Sequence, residues 1–514
     1  MPDLADKQAS SPVSDTRLEF APRINVQEAA SGPEQPWYRV PHLLRLNLLL
    51  MVPLLTSYLV GFDGSMLNGV QTVPAWQNDF DHPSGGMLGL VTTAQTIGSA
   101  GALPIGPYLT DRFGRRPPIA IGSLLVILAA GLQGGAQNLG MFIGSRVIIG
   151  IGSSFVATAA APLVAELAYP SHRGIITAIY NTSWYLGSIV AAWTTYGTFR
   201  IPNSWSWRIP SLLQALPSLI QLALIYLVPE SPRWLMANNR PEEARRVLCR
   251  YHGGSEHPNE LVRAELEEIA DALEAERSQQ TASYMHFIRT PANRHRLLIC
   301  FSLGFIIQWC GNGLVSYYLV PVLNNIGITD PEMQNVINGV LQIFNYITAV
   351  GAAFFVDRVG RRTLFLVSTA GVTLAFVIWT AISAVNEQQH LENKGLGIGV
   401  VIMIFVFFFF YNIAMNPVPM AYLLEILPFT LRAKGLTIFN FAQYGSSIFN
   451  GFANPVALEA IGWKYYIVFT VLAAVWFTFI WFVFPETKGM SLEEVAVVFD
   501  GRPNEEVEGK LEAA

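Results

Sequence analysis

Long apolar runs separated by short polar breaks organise this chain. They fall at 43–68, 87–107, 119–138, 141–165, 175–198, 208–228, 297–322, 334–356, 363–385, 396–424, 434–456 and 464–484. A bilayer core about 30 Å thick needs roughly 20 apolar residues per helix, so the pattern predicts twelve membrane-spanning helices and an all-α membrane protein. The largest interruption, 234–296, divides them six and six. It is densely charged and holds two amphipathic stretches, Pro241–Tyr251 and Pro258–Ala275. In the second, Leu261, Leu266, Ile269 and Leu273 recur at helical spacing among acidic residues, as on a surface helix. The expected organisation is a disordered polar tail over 1–42, a six-helix bundle over 43–233, a linker over 234–296, a second six-helix bundle over 297–489 and a tail over 490–514.

Composition agrees with that pattern. Of 514 residues, 52% are hydrophobic and 13% charged, with a mean hydropathy of +0.37; a soluble domain carries about 25% charged residues. The net charge is −5 and no basic tract suits nucleic acid. Cys249 lies in the charged linker and Cys300 and Cys310 in an apolar run, which argues against a disulfide framework. The first 40 residues lack the apolar core of a cleaved secretory signal. No metal-ligand cluster or nucleophile constellation points to an enzyme, and no cofactor is expected.

Three charged signatures occur twice, in the same order. Asp111-Arg112-Phe113-Gly114-Arg115-Arg116 returns as Asp357-Arg358-Val359-Gly360-Arg361-Arg362; Glu166 with Arg173 returns as Glu425 with Arg432; Pro229-Glu230-Ser231 returns as Pro485-Glu486-Thr487. Such duplication points to paired halves, which in transporters place the substrate site between them. Lys and Arg concentrate in the loops after helices 2, 4, 6, 8 and 10, whereas the loops after helices 1, 3 and 7 contain neither. The loop after helix 5, with Arg200 and Arg208, fits least well. The positive-inside rule therefore predicts cytoplasmic even-numbered loops and cytoplasmic termini.

The ordered set resembles the signatures of the sugar porter family of the major facilitator superfamily, over about residues 45–495. A narrower resemblance to the fungal lactose and cellodextrin permeases rests on Tyr180–Gly187, Gln308–Gly313 and Leu431–Gly435. The resemblance implies two pseudo-symmetric six-helix bundles, alternating access, a sugar substrate and a multi-pass, monomeric protein of the plasma membrane. It also implies a cytoplasmic gate of Asp111, Arg115, Arg116, Glu166, Arg173, Glu230, Arg233, Asp357, Arg361, Arg362, Glu425 and Arg432. Charge-assisted pairs among these would hold the halves together on the inside and break when they rock apart. The bland alternative is that the arginines only fix topology.

Asp63 is the one carboxylate well inside an apolar span, and Arg146 the one deep cation. Both fall in the predicted outer third, where they can pair, and an intramembrane ionisable residue is by default a functional hypothesis. The resemblance matches Asp63 to the helix 1 aspartate of proton symporters and Arg146 to the helix 4 arginine, so the proton gradient is the expected driving force. A static structural pair is the alternative.

Sugar recognition calls for planar amides toward hydroxyls and aromatic faces toward C–H surfaces. By alignment with the family, Asn181, Gln308, Asn345 and Gln443 are expected substrate contacts, joined by Asn312 and Asn412, with Trp184, Tyr317 and Tyr318 as aromatic walls. The alternative for each amide is interhelical bonding; Phe407–Phe410 are expected to face lipid or pack. The chain departs from the family pattern at Ile307, Gly313, Met420, Asn412, Gln214 and Leu163. A smaller helix 10 wall at Met420 suits a disaccharide. Three functions stay open: a proton-coupled sugar importer, an exporter of a fungal metabolite or a uniporter on the same fold, and a nutrient sensor, which the short C-terminal tail disfavours.

Overall fold

The computed structural model describes residues 36–279, 283–353, 359–391, 393–490 and 492–500; Asp357 lies outside them. Among the described residues there is no strand. Within the described residues, each of the twelve apolar runs falls largely on a helix, here α1 (Pro41–Gln71), α2 (Gly85–Ala102 continued by Ile105–Phe113), α3 (Arg116–Gly134), α4 (Leu139–Leu167), α5 (Arg173–Thr198) and α6 (Trp205–Leu213 with Ala215–Leu224). The second six are α7 (Pro291–Trp309 with Asn312–Asn324), α8 (Pro331–Ala353), α9 (Arg361–Gln388), α10 (Lys394–Ala414 with Val418–Ile426), α11 (Phe429–Ile461) and α12 (Tyr465–Val483).

Apolar side chains such as Leu48, Leu128, Ile402 and Phe482 point outward, the last 80% exposed. So large an apolar exterior is a liability in water and the expected surface in lipid. α2, α5 and α8 do not qualify as spans by length and hydropathy alone. The amides that α5 and α8 contribute to the interior dilute their apolar character.

Breaks in the helices follow local chemistry. Leu103-Pro104 interrupts α2, and Asn416 and Pro417 separate the two segments of α10. In α7 the break is at Cys310-Gly311, with Gly311 at φ +96°. That backbone conformation strongly favours glycine. The freed backbone groups are tolerable at membrane depth only because they face protein or a cavity.

Glycines weld the first half together. A methyl group at Gly61 would lie 1.8 Å from the Trp184 carbonyl oxygen, and one at Gly187 would lie 1.9 Å from that of Tyr58. The same reciprocity joins α2 to α4: Gly98 meets Val147 O at 2.1 Å and Gly150 meets Gln95 O at 2.0 Å. Bare Cα atoms let these backbones approach closely, as small residues do in membrane bundles.

The linker is ordered into Pro241–Leu248, a π-helical turn Cys249–Gly253, and Glu260–Gln279. Its apolar stripe packs inward: Leu261 is buried in the first-half core, and the half-buried Leu266 and Ile269 pack on Leu248, Cys249 and Val262. His252, buried, directs Nδ1 at Glu265 (2.8 Å) and Nε2 at the Leu167 carbonyl (3.1 Å), hooking the linker to the end of α4. Near the C-terminus, Leu492–Asp500 forms a further helix. Its Asp500 takes two hydrogen bonds, of 3.1 and 2.9 Å, from the buried Arg296 of α7, whose Nε donates to the Ile426 carbonyl at the end of α10. The expected disorder over 1–42 does not hold at its end, where Trp37–Arg39 makes a helical turn and α1 begins at Pro41.

Candidate functional site

A cavity of about 450 Å³ lies between the two six-helix halves. α1 lends it Ser57, Gly64 and Ser65; α5 lends Asn181, Trp184 and Tyr185. From the second half come Ile307, Gln308, Asn312, Ser316 and Tyr317 of α7, Gln342 and Asn345 of α8, Phe408, Asn412, Asn416 and Met420 of α10, and Asn440 and Gln443 of α11. The volume is in the usual range for a small-molecule site, and the mixed lining of amides and rings fits one.

Eight of the nine amides and rings expected from sequence line this cavity: Asn181, Trp184, Gln308, Asn312, Tyr317, Asn345, Asn412 and Gln443. Tyr318 does not. It stands at a kink in α7 (φ −129°, ψ 31°), which turns it out of the cavity. Its buried hydroxyl donates to the Gly451 carbonyl at 2.5 Å and meets the hydroxyl of Thr92. Phe408, expected to pack or face lipid, packs in the second-half core and also borders the cavity. Tyr185, Gln342, Asn416, Asn440 and Ser65 are lining residues that the sequence reading passed over. Ser65 Oγ is buried and has no protein partner among the described residues.

Tyr185 spans the cavity. Its hydroxyl donates to Asn412 Oδ1 at 2.9 Å and accepts from Asn416 Nδ2. Asn412 Nδ2 in turn donates to Asn345 Oδ1 and Thr348 Oγ1, both at 3.1 Å. Asn412 is thus committed on both its oxygen and its nitrogen.

Just behind the lining, one residue from Gly64, Asp63 receives Arg146 in a two-pronged contact: Nη1 to Oδ1 at 3.3 Å and Nη2 to Oδ2 at 3.2 Å. Gln95 Oε1 also accepts from Arg146 at 3.5 Å. The two charged side chains are 1% and 2% exposed, so each depends on the other for compensation.

Away from the charged signatures, the halves are joined. Asn68 donates to the Ser316 carbonyl, Gln71 to the Tyr317 carbonyl at 3.2 Å and Asn335 to Thr72 Oγ1 at 2.6 Å, while Arg200 pairs with Glu332. Toward the signatures the lining opens: Asn181 and Asn416 are exposed and Met420 is 46% exposed. The cavity is therefore closed at one face and accessible from the other.

Among the described residues, the following bonds of the charged signatures run within each half, whereas the expected gate network would join the halves and break as they rock apart. Arg115 bonds Glu166 through Nε (3.2 Å) and Nη2 (3.0 Å), and its backbone N–H and that of Arg116 donate to Glu230 at 3.0 and 3.3 Å. In the second half Arg361 reaches Glu425 at 3.0 Å through Nε, and its backbone N–H donates to Glu486 at 2.7 Å. Each of these bonds joins groups of one half. Asp111 is 81% exposed and 3.6 Å from Arg115. Arg362 donates to the Trp481 carbonyl at 2.6 Å, Arg432 to that of Leu424 at 3.1 Å, Arg233 pairs with Glu276, and Arg173 is exposed at the start of α5.

Known proteins resemble this arrangement over most of its length. The high-affinity glucose transporter of Kluyveromyces lactis is 27% identical over 473 residues, covering 89% of this chain and 85% of that protein. The quinate permease of Emericella nidulans is 26% identical, covering 91% of each. The inward-open conformation of the xylose transporter XylE from E. coli superposes with a TM-score of 0.73 at 22% identity, over 88% of this chain and 100% of that one. The family model described as "Sugar (and other) transporter" matches residues 49–499. With that match over most of its length, and two helical halves around a shared cavity, the chain belongs to the sugar transporter family of the major facilitator superfamily and is a multi-pass membrane transporter.

Proposed function

We propose that this protein carries a neutral sugar by alternating access and couples the movement to a proton through Asp63. The observation that carries the reading is the cavity itself, where amides and aromatic rings converge from both halves beside one buried carboxylate–guanidinium pair. Asn181, Gln308 and Gln443 are the hydroxyl-binding amides, and Trp184 and Tyr317 the flat faces. The charged-signature face is cytoplasmic by its arginines, which makes this an inward-facing arrangement of a plasma-membrane carrier. When the halves rock to open the other face, the charged signatures approach one another and become the inner gate.

A carboxylate substrate such as quinate is the second reading, since a quinate permease is a relative. Among the described residues the cavity lining includes no Lys, Arg or His, so none of them would compensate a buried anion there. Uptake of labelled glucose, xylose, cellobiose, lactose and quinate by a transporter-deficient yeast expressing the chain tests both. Accumulation of a sugar that a protonophore collapses supports the proposal. Quinate uptake without sugar uptake, or sugar efflux alone, would overturn it.

A further inference from the structure

Of the nine amides lining the cavity, Asn312 and Gln342 bond within their own helices, to Ser316 and Asn338, and the other seven divide into two sets. Asn181, Gln308, Asn440 and Gln443 line it with side chains that make no protein hydrogen bond among the described residues. Asn345, Asn412 and Asn416, on α8 and α10, form a connected cluster that is closed by a residue from the other half, Tyr185. The Tyr185 hydroxyl donates once and accepts once there, which is how a sugar hydroxyl would engage two amides. Its ring is held edge-on to Trp184, with centroids 5.0 Å apart, and is itself buried. The open amides therefore present a hydroxyl-reading surface, whereas the closed cluster is already occupied by a planar, hydroxyl-bearing ring that belongs to the protein.

We propose that Tyr185 is a specificity-determining residue, holding the place at the α8–α10 amides where a second sugar ring would otherwise sit, and so restricting the site to a single ring. This rests on the sugar reading above and narrows it to monosaccharides. It runs against the disaccharide that the reduced wall at Met420 and the resemblance over Tyr180–Gly187 suggest: Met420 is 46% exposed on the open side of the cavity, whereas Tyr185 is 5% exposed and holds both Asn412 and Asn416 with its hydroxyl. Two features separate size from hydroxyl chemistry. Tyr185→Phe keeps the ring and frees Asn412 Oδ1 and Asn416 Nδ2; Tyr185→Ala removes both the ring and its hydroxyl.

The test is competition by unlabelled cellobiose and lactose against labelled glucose and xylose uptake, in a transporter-deficient yeast, for the parent and both variants, with surface expression measured. In the parent the disaccharides compete weakly or not at all. Tyr185→Ala is expected to gain disaccharide competition, with the cellobiose-to-glucose inhibition ratio rising about tenfold, the scale of one to two recovered hydrogen bonds. Tyr185→Phe retains the exclusion while its monosaccharide half-saturation concentration changes. Should the alanine variant fail to reach the membrane, Tyr185→Leu, which fills part of the space with apolar atoms, serves for it and is expected to give a smaller rise. Equal competition by cellobiose and glucose in the parent, or an unchanged ratio in the well-expressed variants, would overturn the assignment and leave the sugar reading intact. Failure of every sugar in the parent would instead remove the sugar reading, and this inference with it.

Discussion

Arg146 grips Asp63 with two of its nitrogens, across the packing of α4 on α1 and immediately behind the cavity wall. Removing one member of such a buried pair strands the other charge, at a cost of about 3–5 kcal/mol. A proton delivered to Asp63 would loosen the same contact without changing shape, which is the step that proton coupling requires.

Asp63→Asn copies the protonated shape and has no proton to release. It is expected to abolish uphill accumulation and substrate-driven proton uptake, while exchange of labelled for unlabelled substrate across the membrane persists. Both are read in proteoliposomes with an imposed pH gradient. Retained accumulation against a gradient would make Asp63 a structural partner of Arg146 only.

Asn181 and Gln308 keep their amides open to the cavity from opposite halves. Alanine at either should raise the half-saturation concentration by a few-fold up to about tenfold, since a neutral hydrogen bond contributes about 0.5–1.5 kcal/mol. Transport kinetics normalised to surface expression provide the check. Unchanged values in both variants would remove them from the site.

The Arg115 guanidinium joins Glu166 and the Thr110 carbonyl within one half, so Arg115→Ala is expected to lower the melting temperature as well as change transport, while the backbone bond to Glu230 remains. The loss should be about 1–3 kcal/mol, the range for charge-assisted bonds with buried partners. Arg115→Lys should recover only part of it, because an ammonium cannot reproduce the forked contact. Asp111→Ala, at an exposed and longer contact, should leave melting unchanged. Equal destabilisation by both alanine variants would contradict the geometry.

Cys249 is buried beneath the linker helix, and burial pushes its thiol up from the ordinary range. Maleimide labelling of Cys249 should therefore be slow in the folded protein. His252→Ala removes the hook to Leu167 and Glu265 and is expected to speed that labelling and to increase protease cleavage within 254–279. If labelling stays slow, the apolar stripe at Leu261, Leu266 and Ile269 is what holds the linker, and His252 adds little.

The span pattern was legible because lipid imposes a uniform demand: every stretch near twenty apolar residues had to become a helix. The α10 break was equally plain from Asn416, Pro417 and Pro419. The α7 break was not read, although Gly311 and Gly313 are weak helix formers, because no proline marks it; at Gly311 an added Cβ would meet the Phe376 ring. Tyr318 and Tyr185 show the limit on site reading. Adjacent tyrosines on α7 look interchangeable in sequence, yet the kink at Tyr318 sends one to the cavity and the other to Gly451. Tyr185 was invisible because its partners, Asn412 and Asn416, lie on another half of the molecule. The signature arginines were readable as a set, but which half each would bond depends on how far the halves are rotated, and sequence does not encode one rotation.

The glycine contacts at Gly61, Gly187, Gly98 and Gly150 leave no slack between α1 and α5 or between α2 and α4. Four helices so joined have little freedom to slide individually, and the deformation needed to expose the cavity first to one side of the membrane and then to the other is concentrated at the seam between halves. That seam has its own small-residue bearing: Gly89 of α2 faces the Gly451 carbonyl, and Gly451 faces Thr93. A substitution that enlarges Gly61 or Gly150 would damage assembly at the outset. One at Gly89 or Gly451 would leave two sound halves and alter how readily they turn, so turnover rate is adjustable at the bearing independently of what the cavity recognises.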